Sequence, residues 1–273
     1  MSGALDGDTI LFDVSDGLAH VTLNRPARLN AVDPEAIGLW QSIAHEIAGR
    51  DDIGAVLFDA NGRAFCAGGD VVAMSMLAAD EPDAGEVIRR LADQIHDGHR
   101  TLRESTKPIV AAVQGAVAGG GLGFMLVADL VIASERSSFA SRYSDVGLTP
   151  DCGVSTLLPE AIGTRRALEL TLTSRRLTAA EALDWGLVTE VVAPDAVVPR
   201  AREIADAWLS GATSAFGQAK RLVRSGLGRD FQDALDDEAR TIGAAFETPY
   251  ARAAVAEFAA AAKRSGLDEH SAG

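Results

Sequence analysis

Positive charge is scarce in this chain. Twenty-five Lys and Arg stand against 39 Asp and Glu, which leaves a formal net charge of −14. That balance argues against a nucleic-acid partner, because a phosphate backbone would meet a repulsive field. A bare anionic membrane surface is disfavoured for the same reason. An anionic small molecule remains compatible only where arginines are set locally against the global field. Cysteine is almost missing: Cys66 and Cys152 are the two present, so neither a disulfide framework nor a zinc spacing is expected. The segment Met1 to Asp6 has no basic stretch leading into an apolar run, and no uncharged apolar segment reaches spanning length. Neither a signal peptide nor a membrane helix is therefore expected, and the expected location is cytoplasmic. Phosphate-loop chemistry is not signalled either, since no Gly-Lys-Ser/Thr follows a glycine turn.

What the chain does have is apolar bulk: 47% of its 273 residues are hydrophobic. That supports one large α/β domain, or one domain with a smaller appendage. Ile10–Val14 and Leu18–Leu23 read as a hairpin around Ser15-Asp16-Gly17. Asp33-Pro34 reads as a helix start carrying the chain to about Ala48. Further strands are expected at 54–58, 107–115, 129–133, 138–140 and 187–192. Helices are expected at about 84–103, 124–128, 151–158, 161–172, 178–185, 198–209, 213–225, 231–246 and 249–264. Residues 71–85 have no consistent pattern and read as mixed, and 267–273 read as a frayed polar tail. Strands and helices alternate to about residue 192, and helices alone follow.

Two strand–glycine–helix turns stand out, at Gly68-Gly69 and at Gly119-Gly120-Gly121. Such turns leave backbone N–H groups unpaired and allow close approach of a ligand. An oxygen gaining negative charge would be stabilised there. If the fold brings the turns together, two N–H groups could aim at one oxygen as an oxyanion hole. Packing of a helix on a sheet explains either turn equally well when it is taken alone.

Several motifs together resemble the crotonase superfamily of enoyl-CoA hydratases and isomerases. They are Asn24-Arg25-Pro26 with Asn30-Ala31, the loop Ala64–Asp70, the run from Lys107-Pro108 through Gly119-Gly120-Gly121, and the block Ala179–Val188. They fall in order over about residues 9–265. The resemblance implies an α/β fold, a spiral of β-β-α turns over residues 1–195, and a helical trimerisation region over 196–273. It implies a homotrimer or a dimer of trimers, and an acyl-CoA thioester as substrate with no permanently bound cofactor. It assigns the oxyanion donors to the N–H groups of Gly69 and Gly120. The carbonyl of Ala67 would receive the adenine amino group, with Gly68 and Asp70 in the same CoA-binding loop. Arg28 falls where a basic residue often meets the CoA phosphates, although a solvated surface arginine fits the sequence as well. Phe258 and Lys263 fall where a neighbouring subunit often touches CoA; core and solvated surface are equally good readings of them.

The resemblance breaks where hydratases carry their two glutamates. Gly123 and Tyr143 occupy those places, and neither can do a carboxylate's work at neutral pH. One carboxylate remains nearby, Asp151 in Gly147–Gly153. Isomerase-type members carry an aspartate there to move a proton along the acyl chain, although Asp151 after Pro150 also reads as a helix N-cap. A narrower resemblance to 4-chlorobenzoyl-CoA dehalogenases would make Asp151 a nucleophile, with Tyr143 in a tryptophan's place and His96 in that of a water-activating histidine. His96 reads equally as a partly buried helix histidine, and His99 as part of a solvated face. The expected function is double-bond isomerisation of an enoyl- or related acyl-CoA. Aryl-CoA dehalogenation or thioester hydrolysis is the second reading, and a non-catalytic acyl-CoA-binding homologue is the third.

Overall fold

The computed structural model describes residues 9–270. Strands β1 (Ile10–Ser15) and β2 (Leu18–Leu23) form the expected hairpin. Asp16 and Gly17, both at positive φ, make its two-residue turn, the geometry that matches strand twist. Helix α1 (Pro34–Gly49) starts as read: the Asp33 carboxylate accepts from the Ala36 N–H, with Pro34 in the first turn. Strand β3 (Ala55–Ala60) is buried along its whole length, as a strand with helices on its faces should be.

Residues Val71–Asp80 form a helix, α2, which corrects the mixed reading of this stretch. Asp70 starts it by accepting from the Val72 and Ala73 N–H groups. Its inner face borders a cavity and not the main core. Helix α3 (Ala84–Glu104) runs back alongside it. Strand β4 (Ile109–Val113) is followed by a short strand, β5 (Ala116–Ala118), unseen in the sequence. Helix α4 (Gly120–Leu126) begins four residues before the expected start. Glycines are poor helix formers, but here packing overrides propensity. A Cβ on Gly121 would stand 2.3 Å from the Cys66 carbonyl oxygen, so only glycine fits this approach.

The chain continues through β6 (Leu130–Ser134), β7 (Ser138–Ala140), α5 (Val154–Ile162), α6 (Thr164–Leu172), β8 (Arg176–Thr178), α7 (Ala179–Trp185) and β9 (Glu190–Val192). Thr178 and Glu181 close a reciprocal cap on α7, and Gly186 ends it in a left-handed conformation. Then come α8 (Val197–Ser210), α9 (Thr213–Gly226), α10 (Phe231–Phe246) and α11 (Pro249–His270). The frayed tail expected from residue 267 is helical to His270, and residues 271–273 lie outside the described residues.

Two sheets follow from this order. One runs β1-β2-β3-β4-β6-β9 and the other β5-β7-β8. Apart from the β1–β2 hairpin, the large sheet is parallel. The successive units β4-β5-α4 and β6-β7-α5 each give one strand to each sheet and then a helix, which is the β-β-α spiral. Alternate residues of β4 serve opposite faces: Ile109, Ala111 and Val113 join the main core, while Val110 and Ala112 pack with Val197, Ala201 and Ala205 of α8. Helix α8 is thus part of the packed body. Lys220 of α9 is buried, donates to the carbonyls of Leu102 and Lys107, and lies 3.2 Å from Asp129. Burial lowers its pKa to about 8, against the pull of Asp129. Helix α10 buries no residue, and Phe258 on α11 is 79% exposed. No described helix is long and apolar enough to cross a membrane.

His99 corrects a second expectation. It is 5% exposed and packs edge-on to Trp40 and Phe124. The Trp40 indole donates to its Nδ1 at 2.9 Å, so the proton sits on Nε2. Burial, helped by nearby His96, pushes its pKa down to about 3. The unfolded chain takes up this proton near pH 6.5 and the folded chain does not. The stability from this residue is therefore complete above about pH 6.5 and is lost as pH falls toward 3. Urea unfolding of the native protein should show roughly 3 kcal/mol less stability at pH 4 than at pH 7 from this residue alone. His99→Gln, which keeps an acceptor for the indole, should remove that share of the slope; an unchanged slope would refute the assignment.

Candidate active site

The loop carrying Gly68 and Gly69 is held by its neighbours on both sides. Leu29 and Asn30 both sit at positive φ. The Asn30 amide donates to the carbonyls of Asn61 and Ala64, and its carbonyl accepts from the Arg25 N–H. Arg25 bridges Asp33 and Asp70 at 3.0 and 3.2 Å. The Asn24–Asn30 motif is thus a scaffold for the loop. The Val32 N–H donates to the Gly68 carbonyl, and the Asp70 N–H to the Val32 carbonyl. On the other flank, the Ala118 N–H donates to the Cys66 carbonyl at 2.9 Å, joining the first glycine turn to the second.

The two turns touch. A Cβ on Gly68 would lie 2.8 Å from the Ala118 carbonyl oxygen and 3.2 Å from the Gly120 nitrogen. Gly68 adopts φ +95° and Gly119 φ +53°, backbone that suits glycine. Gly120 is the first residue of α4, so its N–H has no partner within the helix. Neither its N–H nor that of Gly69 donates to another backbone group among the described residues. Both glycines border one cavity of about 420 Å³.

Asp151 borders the same cavity. It does not cap a helix with its side chain: α5 begins at Val154, preceded by Gly153 in a left-handed conformation. The helix read at 151–158 therefore starts three residues later. The carboxylate is instead held by Tyr143, whose hydroxyl donates to Oδ1 at 2.6 Å. Burial, then the neighbouring Cys152 and Asp151, push the Tyr143 pKa up, so the phenol keeps its proton and remains a donor. Strained backbone aims both residues: Arg142, before Tyr143, has φ +62°, and Cys152, after Asp151, has φ +51°. A Cβ on Gly120 would lie 3.6 Å from Asp151 Oδ1 and 3.7 Å from the Tyr143 hydroxyl. A carboxylate, its donor and a free helix-start N–H therefore meet at one point.

The remaining cavity wall is mostly apolar. It is built from the inner faces of α2 and α3 with Ile37 and Phe124. Sequence reading missed helix α2. The signal was there in the spacing of residues 70, 73, 74, 77 and 81, which share one helical face. Burial pushes the Cys66 thiol up to about 12, and the Cys152 thiol well above its ordinary value. Both are inert packing thiols.

Other expected site residues lie elsewhere. The carboxylate of Asp70 is spent on capping α2 and on Arg25, which hold it below the usual carboxylate range against the opposing effect of burial. Ala67 is half-buried beside the cavity loop, and Arg28 is exposed, with no ion pair among the described residues. Phe258 and Lys263 are exposed on α11. His96 is exposed on α3 and is absent from the cavity wall, so the structure does not bring it to Asp151.

A family model for enoyl-CoA hydratase/isomerase matches residues 13–264. The chain belongs to the enoyl-CoA hydratase/isomerase family. It is 32% identical over 230 residues to 1,2-epoxyphenylacetyl-CoA isomerase of Escherichia coli, covering 84% of this chain and 87% of that protein. It is 29% identical over 251 residues to 4-chlorobenzoyl coenzyme A dehalogenase-2 of an Arthrobacter species, covering 92% and 90%. A solved enoyl-CoA hydratase/isomerase from Cupriavidus metallidurans superposes with a TM-score of 0.85 at 30% identity, covering 95% of each chain. The crotonase fold is therefore established for this member of the family, and acyl-CoA thioester chemistry is consistent with its membership.

Proposed function

We propose that this family member isomerises a double bond, or an equivalent strained function, in an acyl-CoA by proton transfer through Asp151. The supporting observation is the Tyr143–Asp151 hydrogen bond at 2.6 Å beside Gly120 at the cavity. The thioester carbonyl sits against the N–H groups of Gly69 and Gly120. The Asp151 carboxylate removes a proton from the acyl chain. The electron pair moves into the thioester, and negative charge on the carbonyl oxygen is held by the two N–H groups. The protonated Asp151 then returns the proton to another carbon and recovers its charge. Tyr143 holds one oxygen of Asp151 and leaves the other for the proton. Coenzyme A enters with the substrate along the loop of Gly68, with its adenine at the Ala67 carbonyl and its phosphates near Arg28. Asp70 serves that loop structurally.

Turnover of 3-enoyl-CoA to the 2-enoyl isomer, with no 3-hydroxyacyl-CoA formed, is the expected result; hydration as the main reaction would overturn the proposal. Tyr143→Phe should lower kcat roughly tenfold with KM nearly unchanged, as loss of a positioning bond requires.

The similarity to a dehalogenase supports a second reading, in which Asp151 attacks an aryl carbon. The exposed position of His96 weighs against it, since hydrolysis of the resulting aspartyl ester needs a base at the cavity. Self-association completes the proposal. Phe231, Ile242, Phe246, Tyr250 and Phe258 are exposed on α10 and α11, an apolar face of the kind that marks an interface. A homotrimer or dimer of trimers would cover it and bring Phe258 and Lys263 of one copy toward CoA on another. Light scattering should return a mass of three or six chains; a monomer would refute this part.

A further inference from the structure

The cavity is a channel with a measurable length and a one-sided charge. From α2 it takes the face carrying Asp70, Ala73, Met74, Leu77 and Glu81, and from α3 the stretch from Val87 to Ile95. Gly69, Gly120 and Asp151 border the end where α2 begins. Glu81 borders the end where α2 stops, as its exposed C-cap residue. At about 1.5 Å per residue, eleven steps along α2 span roughly 16 Å and eight along α3 roughly 12 Å. An extended chain advances about 1.1–1.2 Å per bond, so the channel takes roughly 10 to 14 carbons.

The charged groups on its wall are Asp33, Asp70, Glu81 and Asp151, all acidic. Arg25 neutralises Asp33 and Asp70 from behind the wall. Glu81 has no ion pair among the described residues. Among the described residues, no lysine, arginine or histidine lines the channel. A methyl terminus can rest at the far end or emerge there into water. A carboxylate carried at that end would meet Glu81 with no cation to offset it, and like charges repel.

Resting on the acyl-CoA reading above, we infer that the substrate is an unbranched acyl-CoA of roughly 10 to 14 carbons with an uncharged end, and that Glu81 excludes chains ending in a carboxylate. Short, aromatic and dicarboxylate-derived acyl groups are the classes it disfavours. An aromatic ring would fill only the inner part of the channel.

Saturated acyl-CoAs test this without chemistry, because they bind but cannot isomerise. Calorimetric titration with straight chains of increasing length should show Kd falling roughly three- to fourfold per added carbon up to 10 to 14 carbons, then levelling. Phenylacetyl-CoA should bind at least tenfold more weakly than decanoyl-CoA. The ω-carboxylated dodecanoyl-CoA should bind at least tenfold more weakly than dodecanoyl-CoA, and the exposed substitution Glu81→Lys should remove most of that penalty. A Kd independent of chain length, or preference for phenylacetyl-CoA, would overturn the channel length. A penalty unchanged in Glu81→Lys would overturn the role of Glu81. If the ladder holds while no enoyl-CoA is turned over, the inference stands and the proposed reaction fails. Isomerase turnover with a flat ladder would sink the inference alone.

Discussion

Asp151→Asn should lower isomerase kcat by roughly 10²- to 10⁴-fold, the range expected for loss of an acid–base group, while acyl-CoA binding changes little. The amide is nearly the same size and can still accept a hydrogen bond from Tyr143, which lies 2.6 Å from Oδ1. The proposed oxyanion donors are backbone groups on other elements and are untouched. What disappears is the capacity to take a proton from carbon and return it. The check is a paired measurement: turnover of a 3-enoyl-CoA and the Kd of a saturated acyl-CoA on the same preparation. Activity within fivefold of the native protein would refute the role of Asp151. Equal loss of binding and turnover would point to a collapsed cavity instead. Burst labelling of Asp151 by an aryl-CoA would favour the nucleophilic reading.

Gly123→Glu is the second large effect, and it runs against intuition. It places a glutamate where the family resemblance expects hydratases to carry one, yet it should create an unstable protein with no gain in hydration. A Cβ at Gly123 would stand 2.0 Å from the Cys152 carbonyl oxygen and 2.7 Å from its Cβ. The turn at Asp151 and Cys152 has taken the space that a side chain would need. Neighbouring backbone cannot yield cheaply, because Cys152 already sits at φ +51° and is buried. The expected loss is about 3 kcal/mol or more, at the severe end for overpacking. Chemical denaturation measures it directly. A variant as stable as the native protein, or one that hydrates enoyl-CoA, would show that the loop can move aside.

The repeating plan was legible in local pattern. The Asp16-Gly17 turn, the Asp33-Pro34 helix start, the fully apolar strands and the Thr178–Glu181 cap each carry their own short-range chemistry. They folded as read because hairpin turns, caps and buried strands are decided by residues close together along the chain. The two glycine turns were visible for the same reason. The errors fall where tertiary contact overrides that local information. Helix α2 has no core-facing stripe because its inner face lines a cavity. Helix α4 starts on glycines because the Cys66 carbonyl leaves no room for anything larger. His99 looked like a solvated residue because its partners, Trp40 and Phe124, are distant in sequence.

The residue types that meet at the cavity were therefore written in the sequence: two glycine turns, Asp151 and, beside it, Tyr143. Their meeting was not. That Gly68 abuts the Gly120 nitrogen, that Tyr143 donates to Asp151, and that His96 faces away follow from how successive spiral turns stack. Short-range preferences specify which elements form. Only the shared burial of distant elements decides which backbone groups are left unpaired, and beside which carboxylate.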